Sequence, residues 1–496
     1  MTESTSRQPR VPFPVVAAAL GLVVLVPAAL IAAIHGFDGL YGQDSFGYVD
    51  YALGPAVESL RSFQALPDFH WPVGYPFAVA LVAMATGLEK QAGQLVSVLA
   101  GAAVPVLVAF LAREMIPLDQ AGRARWAVPI LAGLVVAVAG QLWQSSLVAM
   151  SDTTALALAT LGAWAACRYA RSGSLPWILL ACAAAALAIE VRLIYAVVGA
   201  PIAFVVARSL VHGWRLDPRR AAAHAIAAAV LAVVLVAPAL GEIGDASNSQ
   251  SWNPAFAAQS VVETLDGRLT YELPMSAFYL LQPVQTYWFS LLAVLALPGI
   301  AAIVRRRDPI QIALLIAWPA LVLVFLAGNP YQNTRYFLAA APPVAILISL
   351  GTLVVWRFLK TPITVLVVVA ALVLGAFNAS NFTYAFVERV SRNSASIRAL
   401  AAHVPPDARL ITLGATAQLR HDRIPNVIEL ASLDQQATAQ LLADGRPTYL
   451  LIDRASIAGQ WTTRAPAAIV ASIEAAPGLR EVDVSGIWTL YEVAPI

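Results

Sequence analysis

Long apolar blocks separated by short polar breaks fill the chain from Pro12 to Phe377. Each is close to the roughly 18–23 residues a helix needs to cross the hydrocarbon core of a membrane. The blocks Pro12–Ile34, Gly93–Ala112, Trp126–Leu142, Thr153–Tyr169, Leu175–Ala188 and Leu193–Leu210 are followed by Ala222–Leu240, Thr286–Val304, Pro309–Ala327, Tyr336–Trp356 and Pro362–Phe377. They predict about eleven membrane spans. The first begins after Arg7 and Arg10 and is too long for an ordinary signal peptide, so it is read as an uncleaved span.

One apolar stretch, "WPVGYPFAVALVAMATG" at Trp71–Gly87, is short, opens with two prolines and a glycine, and ends on a second glycine. Arginine bias decides whether it crosses. If it does not, Arg168, Arg171, Arg208, Arg215, Arg219, Arg220 and Arg305–Arg307 all fall in inward loops. If it does, nearly all of them move outside, against the positive-inside rule. It is therefore expected to be re-entrant or juxtamembrane, packed on protein or lining a cavity. The outward face then receives the loop His35–Gln94, the turn Ser146–Thr153, "IEVR" at Ile189–Arg192, the loop Gly241–Gln285, "GNPYQNTR" at Gly328–Arg335 and the C-terminal tail.

After Phe377 the pattern changes. "ARLITLGAT" (Ala408–Thr416), "TYLLID" (Thr448–Asp453) and "IWTLYEVAP" (Ile487–Pro495) read as strands. Asp434–Gly445 and Ala465–Gly478 read as helices stopped by glycine. The expected architecture is an all-α polytopic membrane domain over residues 1–384 and a small α/β soluble domain over 385–496.

Composition narrows the class. Of 496 residues, 59% are hydrophobic and 12% charged, against about 25% charged in a soluble domain. A net charge of +2 without a basic stripe gives no reason to expect a nucleic-acid partner. Cys167 and Cys182 lie inside apolar runs and form no disulfide framework. The six histidines are scattered, so no metal-ligand spacing supports a divalent metal and no cofactor is assigned. No phosphate-binding loop or dinucleotide fingerprint is present. An outward-facing enzyme also lacks a cytosolic nucleotide pool, so its activated substrate would have to arrive tethered to lipid.

Ionisable residues gather at span ends on the outward side. Asp44 follows the first span in "YGQDSFGYVDYA", Asp152 opens the fourth in "MSDTTALAL", Glu190 and Arg192 lie between the fifth and sixth, and Arg335 precedes "YFLAAAPP". Charges at membrane depth are costly and usually line a functional cavity. Carboxylates there suit a general base, and arginines suit a phosphate through paired hydrogen bonds. Bland readings stand beside these. Asp152 is placed to cap its helix, Glu190 and Arg192 to pair with each other, and Arg335 to snorkel. Tyr48 and Tyr51 read as interfacial aromatics. His70 reads as structural, with a phosphate hydrogen bond as its functional alternative.

In order along the chain these features resemble the GT-C polytopic glycosyltransferases, in particular the branch with the protein O-mannosyltransferases and the lipid A aminoarabinose transferase. The likeness rests on Asp44 in its amphipathic helix and on "HWPVGYPFAVAL", which contains His70 and Tyr75. Asp152 and the "RYFLAAAPP" element complete the set. The resemblance implies Asp44 as catalytic base and Asp152 as a second acidic residue at the site. Arg335 would contact a lipid phosphate, and Arg192, Glu190, His70 and Tyr75 are further candidate substrate contacts. The implied donor is a polyprenyl-phosphate sugar, and the acceptor a lipid, glycan or protein. Trp252, Tyr271 and Tyr279 are candidates for stacking on the sugar. Many relatives carry Asp-Glu where this chain has Asp44-Ser45, so a two-carboxylate metal site is not assigned. The implied setting is a multi-pass protein in contact with membrane lipids in a bacterial plasma membrane, its N-terminus cytoplasmic and its C-terminal domain outside. A lipid-linked oligosaccharide ligase or polymerase is the close alternative. A transporter or flippase is the non-enzymatic one, although it would favour mid-span charges and inverted repeats that this sequence does not display.

Overall fold

The computed structural model describes residues 12–116, 124–244, 252–359, 362–475 and 478–494. Arg7, Arg10 and part of the Gly241–Gln285 loop lie outside them.

All the predicted apolar runs carry helix. Among the described residues seven helices are long and apolar enough to cross a membrane, eight if Trp126–Ala137 and Gly140–Leu147, bent by 60°, make one span. The remaining runs are shorter, broken or more polar. Leu175–Val191 has 17 residues, and Thr286–Val304 divides into a 3-10 turn, Ser290–Leu295, and a helix, Ala296–Arg306. The protein is thus a multi-pass membrane protein with fewer long spans than the run count predicts. The helix of the Trp71–Gly87 segment, Gly74–Thr86, has 13 residues. At 1.5 Å per residue that is about 20 Å, too short for a core of about 30 Å. Its start presses on the end of the Leu175–Val191 helix, where a Cβ on Gly74 would lie 2.6 Å from the Glu190 carbonyl oxygen. Only glycine admits that approach.

The segment after the first span folds as a helix from Gly42 to Ser62 with a π turn over Ala52–Ala56. Pro55 lies in that turn, where it has no N–H to give and crowds the carbonyl four residues back. The helix begins after Gly42 takes a left-handed φ of +63°. The Ser45 hydroxyl accepts the Tyr41 N–H and donates to the Tyr41 carbonyl oxygen. Ser45, which follows the candidate base Asp44, is therefore buried and spent on starting the helix.

The last membrane helix does not stop at the membrane. Pro362–Ala401 is continuous over 40 residues, about 60 Å, so the expected boundary near residue 384 falls inside it. Its far end packs on a five-stranded sheet in the order Val427–Glu429, Arg409–Thr412, Thr448–Asp453, Trp488–Val493, Leu479–Ser485. The first three strands run parallel and the last two pairings are antiparallel. Strands Val427–Glu429 and Leu479–Ser485 are additional to the three predicted. Alternate residues serve opposite faces. Leu410, Tyr449 and Leu451 pack with Ile397 and Leu400 of the long helix, while Ile411, Leu450 and Ile452 pack with Ile469 and Ile473.

Within the Gly241–Gln285 loop, Val261–Thr264 and Gly267–Thr270 form an antiparallel hairpin that the sequence reading missed. The Arg268 N–H donates to the Gln460 carbonyl oxygen at 2.7 Å, and Arg464 donates to the Thr264 carbonyl oxygen at 2.7 Å. Tyr331 bonds Asp266 in the hairpin turn. The hairpin thus ties the soluble domain to the turn before Arg335.

Candidate active site

Four of the predicted residues converge. Asp152 opens the Asp152–Ser172 helix, and Arg192 ends Leu175–Val191 in an extended conformation, φ −162° and ψ 117°. Arg192 Nη1 lies 3.0 Å from Asp152 Oδ1 and donates to Ser151 Oγ at 3.2 Å. The helix has no side-chain cap, so capping does not explain Asp152. Arg192 takes Asp152 as a carboxylate partner across the helix interface.

Arg335 stands in a 3-10 turn, Thr334–Ala340, whose start is fixed by Asn333 Oδ1 accepting the Arg335 N–H at 3.1 Å. Its Nη2 lies 3.3 Å from Asp44 Oδ2, and its Nη1 is 3.7 Å from the Met150 sulfur. The Tyr336 ring lies between the two arginines, with its centroid 5.3 Å from Arg192 Cζ and 5.6 Å from Arg335 Cζ. Both cations thereby gain an aromatic face as well as a carboxylate. The Asp152 side chain is 4% exposed and that of Asp44 is 41% exposed, so one carboxylate is buried and the other open to a reactant.

A cavity of about 350 Å³ opens onto this cluster, lined by Asp152, Arg335, Gln141, Gln144, Tyr41 and Arg389 among others. Gln141 Oε1 accepts from Thr334 Oγ1 at 2.7 Å and its amide donates to Ser145 Oγ at 3.1 Å. Among the described residues, three buried atoms at its wall have no hydrogen-bond partner: Gln144 Oε1, Asp152 Oδ2 and Arg335 Nε. Buried polar atoms are nearly always paired. The two acceptor oxygens suit hydroxyl donors, and the guanidinium nitrogen suits an anionic oxygen.

The other predicted residues lie elsewhere. Tyr75 is fully buried, its hydroxyl bonded to the Gly93 carbonyl oxygen at 2.8 Å and to Ser97 Oγ at 2.9 Å. It braces the short helix against the Ala92–Met115 span and has no surface for a ligand. Glu190 is buried and does not line the cavity. His70 is exposed and leans on Trp71, ring centroids 3.7 Å apart and planes tilted by 48°. Desolvation there pushes its pKa below the ordinary value, against an opposing pull from Asp44, so the ring is neutral at pH 7. Tyr48 and Tyr51, expected as interfacial aromatics, are both buried against Phe69. Among the aromatics of the Gly241–Gln285 loop, Tyr271 and Tyr279 brace the turn before Arg335, while Trp252 stays 47% exposed. Tyr279 donates to the Tyr331 carbonyl oxygen at 2.6 Å, Tyr271 to that of Pro330 at 3.2 Å, and Trp252 to that of Phe325 at 3.0 Å.

Among the described residues no group of three or more His, Cys, Asp and Glu could hold a metal ion. The two site carboxylates already have guanidinium partners, a donor set unsuited to a dication.

The whole chain can be compared with solved structures. ArnT from Cupriavidus metallidurans bound to undecaprenyl phosphate aligns over 97% of this chain and 97% of its own, with TM-score 0.58 and 14% identity. The oligosaccharyltransferase AglB from Archaeoglobus fulgidus, in complex with an inhibitory peptide and a dolichol-phosphate, aligns over 90% of this chain and 69% of its own. Its TM-score is 0.53 and its identity 10%. The fold is that of the GT-C glycosyltransferases. No family model matches the sequence, and no curated protein does. The GT-C likeness is thus one of architecture, and it covers the soluble domain as well as the membrane helices.

Gln141, Gln144, Thr334 and Arg389 were missed by the sequence reading. The signal for the glutamines was their polar spacing in "GQLWQSSL" at the end of an apolar run. That spacing marks a break where backbone and amides line a cavity.

Proposed function

We propose that this chain transfers a sugar from a polyprenyl-phosphate donor to a hydroxyl-bearing acceptor at the outer surface of a bacterial plasma membrane. The observation that carries the reading is the convergence of Asp44, Asp152, Arg192 and Arg335, with Asp152 and Arg335 in the wall of one cavity. GT-C architecture supports it, as does a fold relative solved with undecaprenyl phosphate bound.

In this reading the donor phosphate takes the open Nε of Arg335, a charge-assisted contact that strengthens as the phosphate leaves. Arg192, held by Asp152, keeps a second positive charge nearby. The acceptor oxygen attacks the anomeric carbon from the face opposite the phosphate. The new carbon–oxygen bond forms as the bond to the phosphate oxygen breaks, and the polyprenyl phosphate departs with the electron pair. Asp44, whose carboxylate is the open one, takes the acceptor proton. One displacement inverts the anomeric centre. For Asp44 to act, the oxygen now facing Arg335 must be released, and a phosphate drawing the guanidinium toward itself would do that.

The test is direct. Purified protein is incubated with a panel of polyprenyl-phosphate sugars and candidate lipid, glycan and peptide acceptors, and transfer and donor hydrolysis are followed. Turnover of one donor that ceases in Asp44→Asn supports the reading. An inert panel, with the same protein binding no polyprenyl phosphate, overturns it.

A further inference from the structure

A second cavity, of about 760 Å³, lies at the opposite end of the bundle. Its walls are the ends of the Asp152–Ser172 and Tyr195–Leu216 helices and the start of Pro218–Gly244. The Tyr195–Leu216 helix starts three residues after Arg192 and runs 22 residues, about 33 Å, so this cavity sits at the other membrane surface from Asp152.

Its charge is one-sided. Arg208, His212 and Arg215 recur at positions i, i+4 and i+7 of one helix, which sets them along a single face inside the cavity. Arg208 and Arg215 make no hydrogen bond or ion pair among the described residues. The one carboxylate in the wall, Asp217, accepts the Arg220 backbone N–H at 3.1 Å and so caps the next helix. Arg220 and Arg171 reach the Gly173 and Glu114 carbonyl oxygens from the edge. One turn deeper than Arg208 stands Phe204, 46% exposed, and Val211, 58% exposed, flanks the basic stripe. Polarity therefore changes along the cavity from apolar at membrane depth to cationic at the surface, the profile of an amphiphile with an anionic head.

We infer that this cavity binds the headgroup of an anionic glycerophospholipid, its phosphate held by Arg208 and Arg215 and its acyl chains laid along Phe204 and Val211. Basic pockets between spans are suited to such headgroups. The site is separate from the transfer site and does not depend on the function proposed for it.

Full-length protein in neutral detergent is titrated with dioleoyl phosphatidylglycerol, with dioleoyl phosphatidylcholine and with inorganic phosphate. Bound lipid is counted by native mass spectrometry, and the unfolding midpoint is followed in parallel. Phosphatidylglycerol is expected to bind and raise the midpoint while the other two do not. Arg208→Gln and Arg215→Gln should each weaken binding about fivefold and the double variant about 25-fold, from about 1 kcal/mol per arginine. Arg305→Gln/Arg306→Gln, on another helix end, should bind as the unaltered protein does. Equal binding of phosphatidylcholine overturns the proposal. So does a matching midpoint rise with phosphate alone, which would make the ligand a free anion, or equal binding by the two double variants. If the Arg208/Arg215 double variant does not fold, the two single variants decide by the same fivefold criterion.

Discussion

The two ends of the membrane bundle use arginine in opposite ways. Beside Asp44 and Asp152, the Arg192 and Arg335 side chains are 19% and 17% exposed, and each faces a carboxylate. At the other end Arg208 and Arg215 are exposed and have no ionic partner among the described residues. Removing a guanidinium from water costs several kcal/mol unless a counter-charge and hydrogen bonds replace the solvent. The first end therefore needs partners supplied by the fold. The second leaves its cations to water and lipid phosphate. Both sets stand at the ends of apolar runs, so position alone does not separate them; the partner does.

The largest effect that could break this contrast belongs to Asp44. Its side chain is 41% exposed, and Asn keeps the shape and a hydrogen bond to Arg335, so Asp44→Asn should fold. Without the group that takes the acceptor proton, transfer should fall by about 10²- to 10⁴-fold. Transfer of labelled sugar by folded variant at the unaltered rate would remove Asp44 from the chemistry.

Next in size is a matched pair of arginine deletions. Arg192→Met strands the Asp152 carboxylate at 4% exposure and should cost about 3–5 kcal/mol. Arg208→Met leaves no buried charge behind and should stay within about 0.5 kcal/mol. Chemical unfolding in detergent measures both. Replacing the pair together, Asp152→Leu with Arg192→Met, should recover much of the loss while abolishing transfer. Equal losses in the two single variants would erase the distinction between the ends.

How far the site was legible follows from the same physics. Asp44, Asp152, Arg192 and Arg335 stood out because an ionisable group beside an apolar run is costly to place without a reason. Their meeting depends on contacts 291 residues apart in the chain for Arg335 with Asp44, which no local pattern encodes. Tyr75 misled because its motif neighbours point to a site, while its hydroxyl is spent on Gly93 and Ser97 across the packing interface. Tyr271 and Tyr279 misled likewise, being donors to a turn more than 50 residues away in sequence. Gln141 was hidden inside the run read as one span, Trp126–Leu142, and Gln144 just past its end, because a 60° bend is not visible in composition. In the soluble domain, the strands buried on both faces were legible as apolar runs. Leu479–Ser485 was not, because it is an edge strand whose sequence, LREVDVS, shows no buried face.

A third comparison sets two glycines against each other. A Cβ at Gly74 meets the Glu190 carbonyl oxygen at 2.6 Å, so Gly74→Ala must push the short helix away from the segment that carries Arg192. The expected cost is about 1–3 kcal/mol with reduced transfer. At the other end, Gly213 has only the Ala221 Cβ near, at 3.9 Å, inside a regular helix. Gly213→Ala should be neutral or stabilising by up to about 1 kcal/mol. Thermal unfolding of the two variants side by side gives the sign of each, and a stabilised Gly74→Ala would show that the close approach does not constrain the site.

The smallest expected effect concerns the cover over the site end. His421 Nδ1 lies 2.6 Å from Asp50 Oδ1, and its ring meets Phe46 edge-on at 5.4 Å, so the Thr416–His421 helix of the soluble domain sits on the helix that carries Asp44. The hydrogen bond to Asp50 holds the His421 pKa above its ordinary value, despite opposition from burial. A raised histidine pKa means the protonated form is favoured in the docked state. Its contribution is therefore complete below about pH 6.5 and fades as pH climbs through the raised value. Both groups are partly exposed, which limits the contribution to about 1 kcal/mol or less. Amide hydrogen exchange over Thr416–His421, corrected for intrinsic rates, should show protection falling above neutral pH in the unaltered protein and a flatter profile in Asp50→Asn. If the two profiles coincide, the soluble domain is held by its apolar contacts and by the Gln460 and Arg464 bonds to the hairpin, and proton binding has no part in closing the site end.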